Sequence, residues 1–312
     1  MKTYRITIKP QTAFGSMLLG ESLFGQLCWL YRSFLGEDSL TNALERYSEG
    51  DPFMVVSDAF VSGYLPLPHL PGTEYDESTE GLDRKALKKK QWVKFSDITR
   101  PAASLRNCAL SDKELFEAED GCDTYKSETH IHATINRLTA TTGFDEFAPY
   151  ITKDLFFKKD LCFDIYAVVD EKYISDELLE KLFSLLGNTG YGRDASVGLG
   201  KFCVEKIETL SNQVNSTSVL ALASCSPCLD DIDAEKTYYR TKTHFGKHGD
   251  IGVFGGNPFK KPILLAKSGA VLSFKSAHTK PYAGIGLKGV STVISGAVHQ
   301  GYAPVIGLNF RR

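Results

Sequence analysis

The chain has no apolar run of membrane-spanning length, so a helical span is not expected. Its opening residues lack the pattern of a secretory signal. From Met1 to Pro10, Tyr4, Ile6 and Ile8 alternate with Lys2, Arg5 and Lys9, which predicts a first strand. Cysteine is sparse: seven residues, an odd number scattered from Cys28 to Cys228, fit a reducing cytoplasmic setting better than a disulfide scaffold. Charge of neither sign dominates. With 36 Lys and Arg against 38 Asp and Glu, the net charge of −2 excludes a generically basic nucleic-acid binder and requires any electrostatic binding surface to be local.

Several signatures are missing as well. No Gly-Lys-Ser/Thr triplet follows the glycine cluster described below, which excludes a Walker loop. Cys225-Ser-Pro-Cys228 has no second pair at zinc spacing and does not open a helix, so a buried thiol at a strand end is expected. Asp230, Asp231 and Asp233 lack the glycine and distal glutamate of a calcium loop. His244 and His248 stand four apart, but Phe245, Gly246 and Gly249 predict a hairpin or loop there rather than a helical metal pair. No cofactor or metal is expected.

What is present is glycine, and it is concentrated. Between Gly187 and Gly200 the chain reads Gly-Asn-Thr-Gly190-Tyr-Gly192-Arg193-Asp-Ala-Ser196-Val-Gly198-Leu-Gly200. Such residues permit positive φ and close backbone approach, and exposed amides suit a phosphate chain. A helix from Ser175, as N-cap, to Leu186 precedes the loop, and a strand through Phe202–Val204 and Ile207 follows it. That order, with Gly190 to Ala195 lacking a third glycine in register, excludes the dinucleotide fingerprint.

The rest of the first half predicts a strand at Thr3–Lys9 and an amphipathic helix from Ser22 to about Leu35. Gly15, Ser16 and Gly20 precede that helix, whose free amides can face an anion. Extended segments at Pro52–Phe60 and Leu65–Pro68 join at Gly63. Residues 72–129 turn charged and irregular and read as an insertion rather than core. Within it, Arg84 to Lys94 is basic beside Trp92, a combination that suits a nucleic-acid strand, and Glu114 to Asp123 is acidic. Strands resume near Leu155–Phe157 and Leu161–Val169. A polar stretch, Ser211–Ser218, reads as a linker into a strand-rich remainder. The order strand–helix–strands–helix–strand is that of a ferredoxin-like or RNA-recognition domain.

Several segments together resemble the RAMP superfamily of CRISPR effector proteins. They are Gly20–Trp29, Phe53–Phe60 with Leu65–Pro68, His132-Ala-Thr-Ile-Asn136-Arg137, and the glycine loop. Tyr239-Arg240-Thr-Lys242-Thr-His244-Phe-Gly246 and Val298-His299-Gln300-Gly-Tyr302-Ala-Pro304 narrow the resemblance to the type III-A (Csm) subunit that holds the 5′ end of the guide RNA. The resemblance implies an α+β fold of two ferredoxin-like (RRM-like) domains, residues 1–210 with the insertion and a smaller β-rich domain, 211–312. It also implies a non-catalytic role: binding the 5′ handle of the crRNA and docking the large polymerase-like subunit and the first backbone RAMP subunit. Carried onto this chain, Gly20 and Ser22 at the helix start, and Gly190, Gly192, Arg193, Ser196, Gly198 and Gly200 in the loop, would line the RNA backbone. His132, Asn136 and Arg137 would sit on a thumb-like hairpin spanning His130 to Thr142.

Two other readings stay open from the sequence. Relatives in the superfamily cut precursor RNA with a histidine, which makes His130 and His132 candidates for metal-independent cleavage. A protein scaffold without RNA contact is the third reading. It predicts that the glycine loop and Arg193 tolerate change.

Overall fold

The computed structural model describes residues 1–76, 84–116, 125–143, 147–211, 214–249 and 257–310. In chain order the first elements are strand β1 (Lys2–Pro10), helices α1 (Gly20–Leu35) and α2 (Glu37–Ser48), and strands β2 (Met54–Val61) and β3 (Tyr64–Pro66). Next come α3 (Arg84–Lys89), β4 (Lys90–Lys94), α4 (Leu105–Cys108), β5 (Leu110–Ser111) and α5 (Asp112–Phe116). A hairpin of β6 (Tyr125–His132) and β7 (Tyr150–Phe157) leads to β8 (Phe163–Val169), α6 (Asp176–Thr189) and β9 (Phe202–Leu210). The remainder is β10 (Ser216–Ala221), β11 (Thr241–His244), β12 (Ile263–Ala266), β13 (Val271–His278), β14 (Tyr282–Gly284), β15 (Leu287–Lys288), β16 (Val298–His299) and β17 (Tyr302–Leu308).

β1 is the antiparallel partner of both β8 and β9, and β2 pairs with β8, giving a first sheet in the order β2–β8–β1–β9. The period-2 pattern of β1 buries Tyr4, Ile6 and Ile8. The helical period of α1 and α6 buries Leu23, Phe24 and Leu27 on one, and Leu179, Leu182 and Phe183 on the other. These residues form one core with β8, and each fully buried Leu or Phe contributes about 1.5–3 kcal/mol. Ser175 caps α6 as expected, its hydroxyl accepting from the Leu178 amide at 3.3 Å. Helix α2 was not expected. It begins directly after Gly36, whose φ of 87° turns the chain at the end of α1, and it buries Ala43 and Tyr47.

The second half forms another antiparallel sheet, ordered β13–β10–β17–β14. The second ferredoxin-like unit expected here is not evident among the described residues. Among the described residues no α-helix follows Thr189, and this strand order does not repeat that of the first sheet. The length between its strands goes instead into two small ribbons, β11–β12 and β15–β16. Its own core combines alanines, including Ala221, Ala223, Ala266, Ala270 and Ala303, with Val219, Leu272 and Val305.

The described residues between 72 and 116 are not a bare insertion either. β3, β4 and β5 form a small sheet, and Tyr75, Val93, Ile98, Ala102, Leu105 and Ala109 are buried in it. They share a core with Tyr166 of the first sheet and with Leu220, Leu308 and Phe310 of the second half. The apolar positions are spaced irregularly among charges, so no single period revealed them. The basic run lies on α3 and β4, where the Trp92 indole donates to Asp112 at 2.6 Å. Residues 117–123 of the acidic run lie outside the described residues.

The halves are also stitched by polar groups. Between Val56 and Ala59 the register of β2 shifts against β8. There the Gln300 amide donates to the Val56 carbonyl at 2.8 Å and accepts from its N–H at 2.9 Å. The buried Ser57 hydroxyl accepts from the Tyr166 amide at 2.7 Å. Such bulges unpair backbone groups, and here side chains satisfy them. No described helix is long and apolar enough to cross a membrane.

Candidate nucleic-acid interface

The glycine loop is built more tightly than a flexible connection. Gly190 ends α6 with φ of 94°, and its N–H donates to Leu186 O at 2.9 Å. Tyr191 N–H donates to Gly200 O, and Gly200 N–H to Ala13 O, folding the loop back on itself and onto the segment after β1. Gly200 has φ of 74°, and a Cβ there would collide with the Tyr191 backbone; at Gly190 one would collide with the Leu199 carbonyl. Gly187, inside α6, lets the helix lie on Phe202 of β9 in the same way. Gly192, with φ of 78°, faces the Ser16 hydroxyl. Gly198 is different: its φ is 101° and nothing stands within 4 Å of a Cβ there. Exposed Ser196 and Val197 and this open glycine form the part of the loop able to meet a ligand.

Tyr191 anchors the loop from beneath. Its buried hydroxyl donates to Met17 O and accepts from Leu19 N–H, both at 3.0 Å, and burial pushes its pKa up. This ties the loop to the start of α1. The start itself is closed to an outside anion. Gly20 N–H donates to the Asp58 carboxylate at 2.8 Å, the Ser22 and Leu23 amides turn back to Leu19 O, and Gly20 is buried against β2. The expectation for Gly20 and Ser22 is therefore corrected: an internal carboxylate already complements the helix dipole.

Arg193 is also committed within the chain. Its guanidinium donates to Gly15 O at 3.1 Å, to Lys153 O at 2.7 Å and to Asp154 Oδ1 at 2.8 Å, and it pairs with Asp194. It was expected to add charge against RNA. It instead binds the loop to β7.

The β6–β7 hairpin runs in register from Tyr125↔Phe157 to His132↔Tyr150, and the segment from His130 onward forms its projecting end. His132 stacks on Tyr150, with ring centres 4.8 Å apart, and its Nε2 is 2.9 Å from the Thr152 hydroxyl. His130 Nε2 lies 3.5 Å from Asp154 Oδ2. Past the strand, the Asn136 side chain accepts from Leu138 N–H and its backbone bridges Thr141, closing the tip. Arg137 projects outward with no ion pair among the described residues, and Leu138 is 96% exposed. Ser196–Gly198 and the hairpin are thus linked through Arg193 and Asp154.

A second polar cluster joins the halves. Glu21, fully buried on α1, accepts from Lys242 Nζ at 2.5 Å and lies 3.3 Å from His244 Nδ1, both on β11. Asp58 is half-buried close by. Burial, with the Glu21 charge adding to it, raises the Asp58 pKa to about 7. Burial holds His299 neutral, with a pKa lowered to about 3. His248 lies in a loop and meets the Ser291 hydroxyl at 2.9 Å. Cys225 is a free buried thiol, raised to about 12 by burial, and no metal-holding cluster occurs among the described residues.

No protein-family model matches the chain, and no curated protein matches it. Solved structures do. A chain of the Csm1–Csm4 cassette in complex with AMPPNP matches with a TM-score of 0.58 at 13% identity, covering 100% of both chains. A chain of the Csm3–Csm4 subcomplex of the type III-A CRISPR–Cas interference complex matches at 0.56 and 15%, again covering 100% of both. Csm4 is the component common to the two assemblies, and over its full length the chain shares the fold of these matched chains.

Proposed function

We propose that the chain is a non-catalytic RNA-binding subunit of a type III CRISPR effector complex that grips the 5′ handle of the crRNA. It would dock the large polymerase-like subunit on one side and the first backbone RAMP subunit on the other. The observation that carries this reading is the coupling of the glycine loop to the hairpin, on a fold shared over its whole length with Csm4-type chains. RNA held at a fixed end needs a rigid cradle more than net positive charge. Ser196, Val197 and Gly198 offer the open part of that cradle, and His132, Asn136 and Arg137 the hairpin side. Gly190, Gly192, Gly200 and Arg193 shape it from within.

Co-purification of the tagged chain from its host, with sequencing of bound RNA, tests the proposal. Short RNAs sharing one repeat-derived 5′ end, together with a large partner subunit, are the expected result. Precursor RNA processed by the chain alone, and no longer processed after His130→Ala or His132→Ala, would establish the nuclease instead. Partners without RNA would leave the scaffold reading.

A further inference from the structure

The charge of the chain is divided unevenly. From Lys236 onward there are twelve Lys and Arg and a single acid, Asp250, which lies outside the described residues. The net charge of −2 conceals this. Among the described residues, Lys242 alone of these cations has a carboxylate partner, Glu21.

The β11–β12 ribbon displays much of this charge. Its register runs from Thr241↔Ala266 to His244↔Ile263, so alternate side chains take opposite faces. Lys242 and His244 turn inward to Glu21. The other face carries Thr241, Thr243 and Leu264 and continues to Phe245. Phe245 is 66% exposed and Leu264 65%. Past the strands, Lys247 bridges Phe259, itself 53% exposed and followed by Lys260 and Lys261. At the other end, Lys267 N–H donates to Arg240 O at 2.7 Å, which places two exposed cations together. Beside them opens a cavity of ≈ 470 Å³ lined by His69, Tyr238, Tyr239 and Arg240, within the ~300–1,000 Å³ range of ligand pockets. Burial and the nearby Arg240 and Lys267 keep His69 uncharged at neutral pH.

Exposed aromatic rings alternating with cations that lack acidic partners match a ligand with flat apolar faces and a repeating negative charge. We propose that the outer face of this ribbon, from the Tyr239–Arg240 cavity to Phe259, is a binding track for single-stranded RNA. Phe245 and Phe259 stack on bases, and Arg240, Lys247 and Lys267 meet phosphates. The inference rests on the RNA-binding reading above and adds a surface carried by different elements. An acidic protein would need its own apolar residues at the same alternating positions, whereas every nucleotide supplies both features.

The test is binding of a fluorescein-labelled single-stranded oligoribonucleotide of mixed sequence to the full chain, between about 50 and 200 mM salt. Phe245→Ala with Phe259→Ala is expected to weaken binding roughly 5- to 150-fold per stacked base without changing its salt dependence. Lys247→Ala with Lys267→Ala is expected to lower the slope of log affinity against log salt by ~0.7 for each phosphate that is no longer neutralised. All four positions are exposed, and circular dichroism checks the fold. Wild-type affinity in both double variants would overturn the track. If Gly198→Ala still lost crRNA in that case, the handle reading would stand without it. Unchanged RNA binding with loss of a co-purifying subunit would make the ribbon a protein-docking face and equally overturn the proposal. No binding by the wild type would overturn the track, while the handle reading is decided separately by the RNA that co-purifies with the assembled subunits.

Discussion

Arg193 and Asp154 lie 2.8 Å apart, guanidinium to carboxylate, where the glycine loop meets the hairpin. The same guanidinium holds Gly15 O and Lys153 O, so three segments distant in sequence meet at one side chain. Charge-assisted bonds to a planar fork fix both distance and orientation. Arg193 thus sets the separation between the loop's open end and the hairpin tip.

Arg193→Ala and Asp154→Ala should therefore act alike. Each is expected to cost about 1–2 kcal/mol of stability, the pair being partly exposed, and to raise amide hydrogen exchange in both the loop and β7. Each should also lower crRNA occupancy. Were Arg193 a direct phosphate contact, Asp154→Ala would free it and strengthen binding. A stronger-binding Asp154→Ala variant would refute the strut.

The loop glycines should separate by position. Gly198→Ala meets open space and pays only for its positive φ, about 1–2 kcal/mol, so this variant should stay folded and bind less crRNA. Gly200→Ala drives a Cβ into the Tyr191 backbone and should lose at least about 3 kcal/mol. Thermal unfolding of the two variants checks the order. Equal melting temperatures would show that the loop relaxes as a unit.

Lys242→Met leaves the Glu21 carboxylate buried without its cation, and removing one member of a buried pair costs roughly 3–5 kcal/mol. Glu21→Gln combined with Lys242→Met should recover part of that loss. Urea titration of the single and double variants measures the coupling. Additive losses would mean that the pair contributes nothing as a pair.

Asp58 gives the stability a pH dependence of known sign. Its pKa is raised from 3.8 to about 7 by folding, so its burial opposes the fold above pH 7 and the penalty disappears as pH falls from 7 towards 3.8. His69 and His299 act oppositely: lowered from 6.5 to about 4 and about 3, they favour the fold above pH 6.5 and lose that contribution on acidification. Asp58→Asn keeps an acceptor for the Gly20 amide and should raise the melting temperature relative to wild type at pH 8, with the difference vanishing near pH 4. A constant difference across that range would sink the assignment.

The elements that position the site were legible where period and burial agree. Tyr4, Ile6 and Ile8 announced β1, the leucines of α1 and α6 announced their helices, and Ser175 announced its cap. The glycine loop itself was visible in composition, but not that Gly190 and Gly200 serve its internal packing. That depends on where Tyr191 and Leu199 return in space. Arg193 read as free charge because its acceptors, Gly15, Lys153 and Asp154, are distant in sequence and two of them are backbone carbonyls. The 72–116 segment looked peripheral because its buried side chains follow no single period. The cation excess after Lys236 was readable from sequence, and a net charge taken over the whole chain averaged it away.

Tyr302 on β17 is buried in the first core, edge-on to Tyr47, and its hydroxyl donates to the Tyr47 carbonyl. A chain emerging from the ribosome therefore cannot complete that core until some 300 residues have been made. Synthesis delivers β1, α1, β2, β8, α6 and β9 early, yet a late strand supplies the side chain that seals them. Until then the pocket around Tyr47 and Phe53 remains open to any apolar surface nearby, the kind of exposure on which chaperones act.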